Sequence, residues 1–194
     1  MERETDDVRA MLATLVQAGL RRVMLGNLGH LPLVRAHALV TDGDFRLNVT
    51  NRETVAVLER MGFSTLLLSP ELTLPQIRDL TGPCSVIVYG RIPLMTLEKC
   101  VGRELGSCED CTAGALTLRD RRGAEFPVLR EWEHRSVICN SLPTSMSDRQ
   151  DRLLAAGITG GHFLFTTETA EEVDRVLNAF RDQLPLPHPV RRIN

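Results

Sequence analysis

Cys100, Cys108, Cys111 and Cys139 follow the spacing C-x7-C-x2-C-x27-C. Four thiolates hold one tetrahedral zinc or one iron–sulfur cluster. Cys108 and Cys111 form a C-x-x-C pair, tight enough for both sulfurs to reach a single metal. Reduced cysteines also occur as small buried hydrophobes. The polar neighbours Arg103, Glu104, Glu109 and Asp110 argue against that role here. A zinc ribbon would carry two C-x-x-C knuckles, so a set with one short pair suits a cluster better than zinc. Cys84 stands apart, between Pro83 and a strand-like run, and reads as core.

Elements must bring these cysteines together, and the bulk numbers say what kind. The chain has 194 residues, which predicts one domain with a sizeable core. Hydrophobic content of 43% and charged content of 25% are ordinary globular values. A net charge of −2 gives no global pull toward nucleic acid. No run reaches the ~20 apolar residues of a membrane span. Met1 is followed by charged residues and not by an apolar leader, which predicts a cytoplasmic protein. In a reducing cytosol, cysteines bind metals or catalyse more often than they form disulfides.

Helix and strand signals alternate through the first half. Helical spacing covers residues 6–19 and, weakly, Leu31 to Leu39. Asn51 caps a helix from Glu53 to Met61, and Thr73 caps one beginning near Pro75. Short apolar runs predict strands at Arg22 to Leu25, Phe45 to Val49, Thr65 to Leu68 and Val86 to Tyr89. Continuous apolar strands between helices predict a parallel sheet of βα units. The rhythm breaks at residues 96–147, which hold the cysteines. There Ala115 to Arg119, a turn at Gly123 and Glu125 to Arg130 predict an antiparallel hairpin. His134 to Asn140 would form a third strand returning Cys139 toward the other cysteines. A helix at Asp148 to Ala156, a strand at His162 to Thr166 and an amphipathic helix from Thr169 to Gln183 follow. The expected organisation is one β/α domain over residues 1–184 with the cysteine segment inserted, and an extended tail at 185–194. Five parallel strands do not close a barrel of eight, so the sheet is either open or part of a barrel.

Parallel α/β folds place their sites at the carboxyl ends of strands. Polar residues collect there: Asn27, Asn48, Asn51, Ser69, Glu71, Arg91 and Thr166. Of these, Asn48, Glu71 and Arg91 are the candidate substrate-binding residues. Arg91 would hold a carboxylate through a bidentate fork. Glu71 and Asn51 also have adequate structural roles near helix starts. Peptidase signatures are missing: there is no G-x-S-x-G elbow and no H-E-x-x-H helix. The histidines His30, His37, His134 and His162 are scattered, and no catalytic residue is assigned. Trp132 suits an anchor for the hairpin better than a stacking platform for a base. Arg119, Arg121, Arg122, Arg130 and Arg135 make the hairpin basic enough to admit RNA as a partner, although nearby carboxylates dilute the charge. Unpaired sheet edges call for a partner chain or self-association.

An ordered series of motifs completes the picture. Gly26-Asn27-Leu28-Gly29, Leu47-Asn48-Val49-Thr50-Asn51, Leu68-Ser69-Pro70-Glu71-Leu72 and Val88-Tyr89-Gly90-Arg91-Ile92-Pro93-Leu94-Met95 precede Cys100. After it come Cys108-x2-Cys111, Asp120-Arg121-x-Gly123, Phe126-Pro127-Val128 and Cys139-Asn140-Ser141. This series resembles the peptidase U32 family, also called collagenase-like, over about residues 22–180. The resemblance implies the C-terminal part of a β/α barrel. It implies either proteolysis or the oxygen-independent hydroxylation of RNA bases or a quinone precursor by iron–sulfur members. In those members a [4Fe–4S] cluster lies in the region that holds Cys100, Cys108, Cys111 and Cys139 here. Zinc on the same thiolates, in a non-catalytic scaffold subunit, is the alternative.

Overall fold

The computed structural model describes residues 2–104, 106, 116–131 and 134–194. It is a mixed α/β structure built on parallel βα units. The chain packs as two compact units. One runs to Val86 and takes in Leu153–Gly161; the other comprises Ile87–Arg152 and His162–Asn194.

The first unit opens with helix α1 (Glu2–Gln17) and strand β1 (Arg22–Leu25). Helix α2 (Leu31–Arg35), strand β2 (Val40–Gly43), helix α3 (Arg52–Arg60), strand β3 (Phe63–Leu67) and helix α4 (Leu74–Arg78) follow. Strand β4 (Cys84–Gly90) begins in this unit. β1, β2, β3 and β4 pair in that order, each parallel to the next. Helix α3 shows how the sequence commits the backbone. The Asn51 side chain accepts from the Thr54 backbone N–H at 2.8 Å, satisfying an orphan donor of the first turn. Val55 and Leu58, one turn apart, are buried to 1% and 3% exposure. Burial of that kind stabilises by about 1.5–3 kcal/mol per side chain, which outweighs propensity in a nine-residue helix.

One strand stands elsewhere than the pattern predicts. Phe45–Leu47 is a 3₁₀ turn capped by Asp44, whose carboxylate accepts from the Arg46 N–H at 2.9 Å. The second strand is Val40–Gly43 instead. The preceding helix ends at Arg35, and Ala38 turns the chain through φ 52°, so extended backbone begins earlier. Gly43 is needed there because a Cβ would come within 2.8 Å of the Leu66 side chain. The strands are also less uniformly buried than their apolar runs suggest. β4 is buried almost throughout, whereas Met24 on β1 and Val40 on β2 are exposed.

The second unit contains the end of β4 and an antiparallel sheet. Strand β5 (Pro93–Leu97), helix α5 (Val101–Glu104) and strands β6 (Thr117–Arg119), β7 (Glu125–Arg130) and β8 (Ser136–Cys139) come next. The sheet order is β5-β8-β7-β6. The expected β6–β7 hairpin is present, with Gly123 at φ 83° and the Asp120 carboxylate accepting from the Arg122 and Ala124 N–H groups. β5 was not foreseen, because Leu94 and Met95 are both about half exposed and show no alternation. Strand β9 (Thr144–Ser145) runs antiparallel to the end of β4. Helix α6 (Gln150–Ala155) and strand β10 (Gly160–Leu164), each divided between the two units, and helix α7 (Ala170–Asp182) complete the chain, with β10 beside β4 in the same sheet. Tyr89, Val176 and Leu186 form the buried centre of an apolar cluster joined by Phe165, Ala179, Phe180 and Val190.

Candidate functional site

The strand-end polar residues have separate fates. Asn27 spends its side chain on the Gly29 N–H at 2.8 Å, as Asn51 does on Thr54, so both are local caps. In the first unit, Asn48 is an exposed left-handed residue closing the 3₁₀ turn, and Glu71 is exposed in the turn after β3. Arg91 belongs to the second unit, immediately after β4. Its Nη1 donates to the backbone carbonyls of Asn140, at 3.0 Å, and Ser141. Its Nε is buried and finds no hydrogen-bond partner among the described residues. Arg91 thus has one nitrogen fastened to the loop after β8 and another donor unspent.

Arg91 borders a cavity of about 390 Å³ in the second unit. Tyr89, Arg91, Glu168, Glu172, Arg175 and His188 give it polar lining, and Val176, Leu186, Pro143 and Pro187 give it apolar walls. The two carboxylates are already engaged. Glu168 Oε1 accepts from the Tyr89 hydroxyl at 3.1 Å, and its Oε2 accepts from the Thr166 and Thr167 N–H groups at 2.7 and 3.0 Å. Glu172 Oε2 accepts from the Thr169 N–H at 2.8 Å, closing the capping box of α7. That backbone bond holds the Glu172 carboxyl below its usual range. Arg175 Nη2 in turn pairs with Glu172 Oε1 at 3.9 Å, which leaves Arg91 as the lining arginine without a carboxylate partner among the described residues. The geometry suits a small anionic ligand with an apolar body, a size and polarity ordinary for small-molecule sites.

Of the candidate metal cysteines, Cys100 and Cys139 are described and both belong to the second unit, Cys139 in its antiparallel sheet and Cys100 just beyond it. Cys139 ends β8, is fully buried and pairs with Pro93. Cys100 is buried three residues beyond the far end of β5, where the Val101 N–H donates to Ser136 Oγ at 3.0 Å. Ser136 and Cys139 are three residue steps apart in β8, about 10 Å of strand. Cys108, Cys111 and Trp132 lie outside the described residues. No group of three His, Cys, Asp or Glu side chains placed to hold a metal occurs among the described residues.

The family model for peptidase family U32 matches residues 1–184. The chain belongs to peptidase family U32. No curated protein matches it. Among solved structures, this U32 chain is similar to the spore cortex-lytic enzyme SleL of Bacillus megaterium QM B1551, at 9% identity and a TM-score of 0.37. The match covers 98% of the U32 chain and 55% of the other, so the chain spans little more than half of that protein's length. No helix among the described residues is long and apolar enough to cross a membrane.

Thiolate is the donor type that zinc and iron–sulfur centres use, and Cys100 and Cys139 supply that type here. Cys100 and Cys139 are buried sulfurs, and burial pushes the Cys139 thiol up. A metal would offset that cost, because ligation replaces the proton on sulfur. Cys84, whose thiol is pushed up by burial and by the Glu59 carboxylate, is half-buried at the start of β4 and is not the core residue the sequence suggested.

Sequence reasoning missed Tyr89, Glu168, Arg175 and His188 as cavity residues. Tyr89 and Glu168 stand next to strand ends, a signal that could have found them. His188, among prolines in the tail, offered none. Burial pushes the Tyr89 phenol above its usual range, and the Glu168 carboxylate beside it adds to the effect. A raised phenol in the folded state contributes stability that is intact below the free value of about 10 and is lost as pH climbs above it. Tyr89 is the chain's one tyrosine, so phenolate absorbance reports it alone. The titration should lag well behind free tyrosine and coincide with alkaline unfolding, and Tyr89→Phe should abolish the signal. A midpoint at the free value in folded protein would show that the phenol is neither buried nor paired.

Proposed function

We propose that this U32 chain is an iron–sulfur enzyme, or a component of one, of the oxygen-independent hydroxylase type, acting on an RNA base or a quinone-like substrate. A small anion would bind at Arg91. The observation that supports this reading most is the position of Arg91 at the end of β4. It borders the cavity, is held by two loop carbonyls, and keeps a buried Nε–H without a partner. An anion there would lie beside the Arg91 guanidinium, and Val176, Leu186 and the prolines would keep water off its apolar body. Glu168, fixed by two backbone N–H groups, holds the Tyr89 hydroxyl in place. A [4Fe–4S] cluster on Cys100, Cys108, Cys111 and Cys139 would supply one-electron transfer when bound. Peptidase chemistry requires an activated nucleophile, or a metal with an open position. The cavity lining contains neither serine nor cysteine, Thr167 is its one aliphatic hydroxyl, and both carboxylates that could serve as its base are engaged. A partner chain or a second copy would cover the edge at β1, where Met24 is exposed.

The Arg91 reading is tested by titrating benzoate, with neutral methyl benzoate as control, into wild type, Arg91→Ala and Arg91→Lys. Loss of a charge-assisted fork should weaken benzoate by about 10- to 100-fold in Arg91→Ala. Arg91→Lys keeps the charge without the fork and should fall between. Methyl benzoate should not respond to either change. Equal benzoate affinity in all three proteins would remove Arg91 from the site.

A further inference from the structure

One wall of the cavity is made by a segment with unusual attachments. After α7 the chain turns at Gln183, φ 55°, and continues as Leu184-Pro185-Leu186-Pro187-His188-Pro189-Val190. The Leu184 N–H donates to the Ala179 carbonyl, and the next backbone hydrogen bond among the described residues is at Arg191. Between those points Leu186 is buried in the Tyr89–Val176 cluster and Val190 packs against it. Pro187 and His188 line the cavity beside Leu186. The three prolines stiffen the run in an extended form, so little entropy is lost when it lies down.

The far end is fastened by several groups. The Arg191 N–H donates to the Pro143 carbonyl at 2.8 Å, and the Ser145 N–H donates to the Arg191 carbonyl at 3.0 Å. Arg191 also bridges Thr144 in parallel, extending β9. Arg192 Nη2 pairs with Asp148 at 2.8 Å, with the two side chains only 17% and 25% exposed, and its Nη1 donates to the Ser145 carbonyl at 2.5 Å. The clamp grips β9, which lies against the end of β4, the strand that leads directly into Arg91. Strap, clamp and Arg91 are therefore parts of one local structure within the second unit.

We propose that Leu184–Arg192 is a strap that completes the Arg91 cavity, fastened by Arg192 as a positioning residue. Anion occupancy and strap docking stabilise one another. The proposal rests on the reading of the cavity as an anion site. A ligand lying between Arg91 and the strap buries surface on both, so it binds the docked form better than the loose form. By linkage the docked form gains whatever differential affinity the ligand has. Undocking removes the wall formed by Leu186, Pro187 and His188 and leaves the ligand open to water on that side.

The test uses the full chain and benzoate, with two readouts. Amide exchange at Ser145 and Arg191, whose N–H groups make the clamp bonds, reports docking. Titration reports affinity. Saturating benzoate should slow exchange at both amides by at least about threefold in wild type. Arg192→Ala should speed that exchange and weaken benzoate by roughly fivefold or more, without altering the lining near Arg91. Asp148→Asn, which keeps the Arg192 bond to Ser145, should show the same effects at smaller size. It serves if the alanine variant does not fold, and the wild-type exchange measurement needs no variant. Unchanged benzoate affinity in a variant whose clamp amides exchange faster would overturn the strap while leaving Arg91 in place. Wild-type affinity in Arg91→Ala would overturn the anion site, and the coupling with it.

Discussion

Gly90→Ala should prevent the second unit from folding. Gly90 ends β4 at φ 133°, a backbone region that residues with a Cβ avoid. A Cβ at this position would lie 2.2 Å from the Leu164 carbonyl oxygen and 2.8 Å from the Leu164 Cβ. The obstruction is mostly backbone, so no side-chain rotation relieves it. Strain and clash together should cost on the order of 4 kcal/mol or more, a large share of a domain's stability. Tyr89 and Arg91 flank this glycine, so whatever moves it also moves two cavity residues. The expected result is an insoluble protein, or one with its urea midpoint sharply lowered. A variant of wild-type stability would mean that β4 and β10 do not approach this closely.

Much of the architecture was legible before any coordinates, and where it failed the reasons are local. α3 and α7 each announce themselves by a cap and an apolar stripe, and short-range hydrogen bonds suffice to place them. The β6–β7 turn is equally local, since Asp120 and Gly123 carry its geometry within five residues. β2 was not legible. Thr41-Asp42-Gly43 looks like a turn, while Phe45-Arg46-Leu47 alternates like a strand. Pairing with β1 and β3, and the room Gly43 leaves for Leu66, reverse that preference. Tertiary context overrides weak β-propensity in this way. At the site, Arg91 was found from its place after an apolar strand. Tyr89 and Glu168 were not, because the bond between them joins residues 79 positions apart. Asn27 and Asn51 resemble site residues at strand ends, yet each is consumed by a cap two or three residues on.

The other large effect concerns the cysteines. If a cluster gathers residues 100–139, the metal stabilises only the conformation in which its site exists. Cys108→Ser should therefore lose the metal and loosen β5, β6, β7 and β8, while β1, β2 and β3 keep their protection against amide exchange. Cys111→Ser and Cys100→Ser should behave alike. Cys139→Ser is the most demanding member of the series, because the register sets Cys139 opposite Pro93 and Ser136 opposite Leu97. Retention of the metal in that variant would leave three cysteines as ligands and an open position on the fourth iron. Equal exchange in all variants and wild type would mean that the cysteines order nothing.

Iron, sulfide and zinc analysis of anaerobically purified protein, together with its visible spectrum, tests the central claim most directly. A cluster-bearing chain is brown, with about four irons and four sulfides per chain that are lost in Cys108→Ser. A colourless protein with one zinc, or with no metal at all, would contradict that claim.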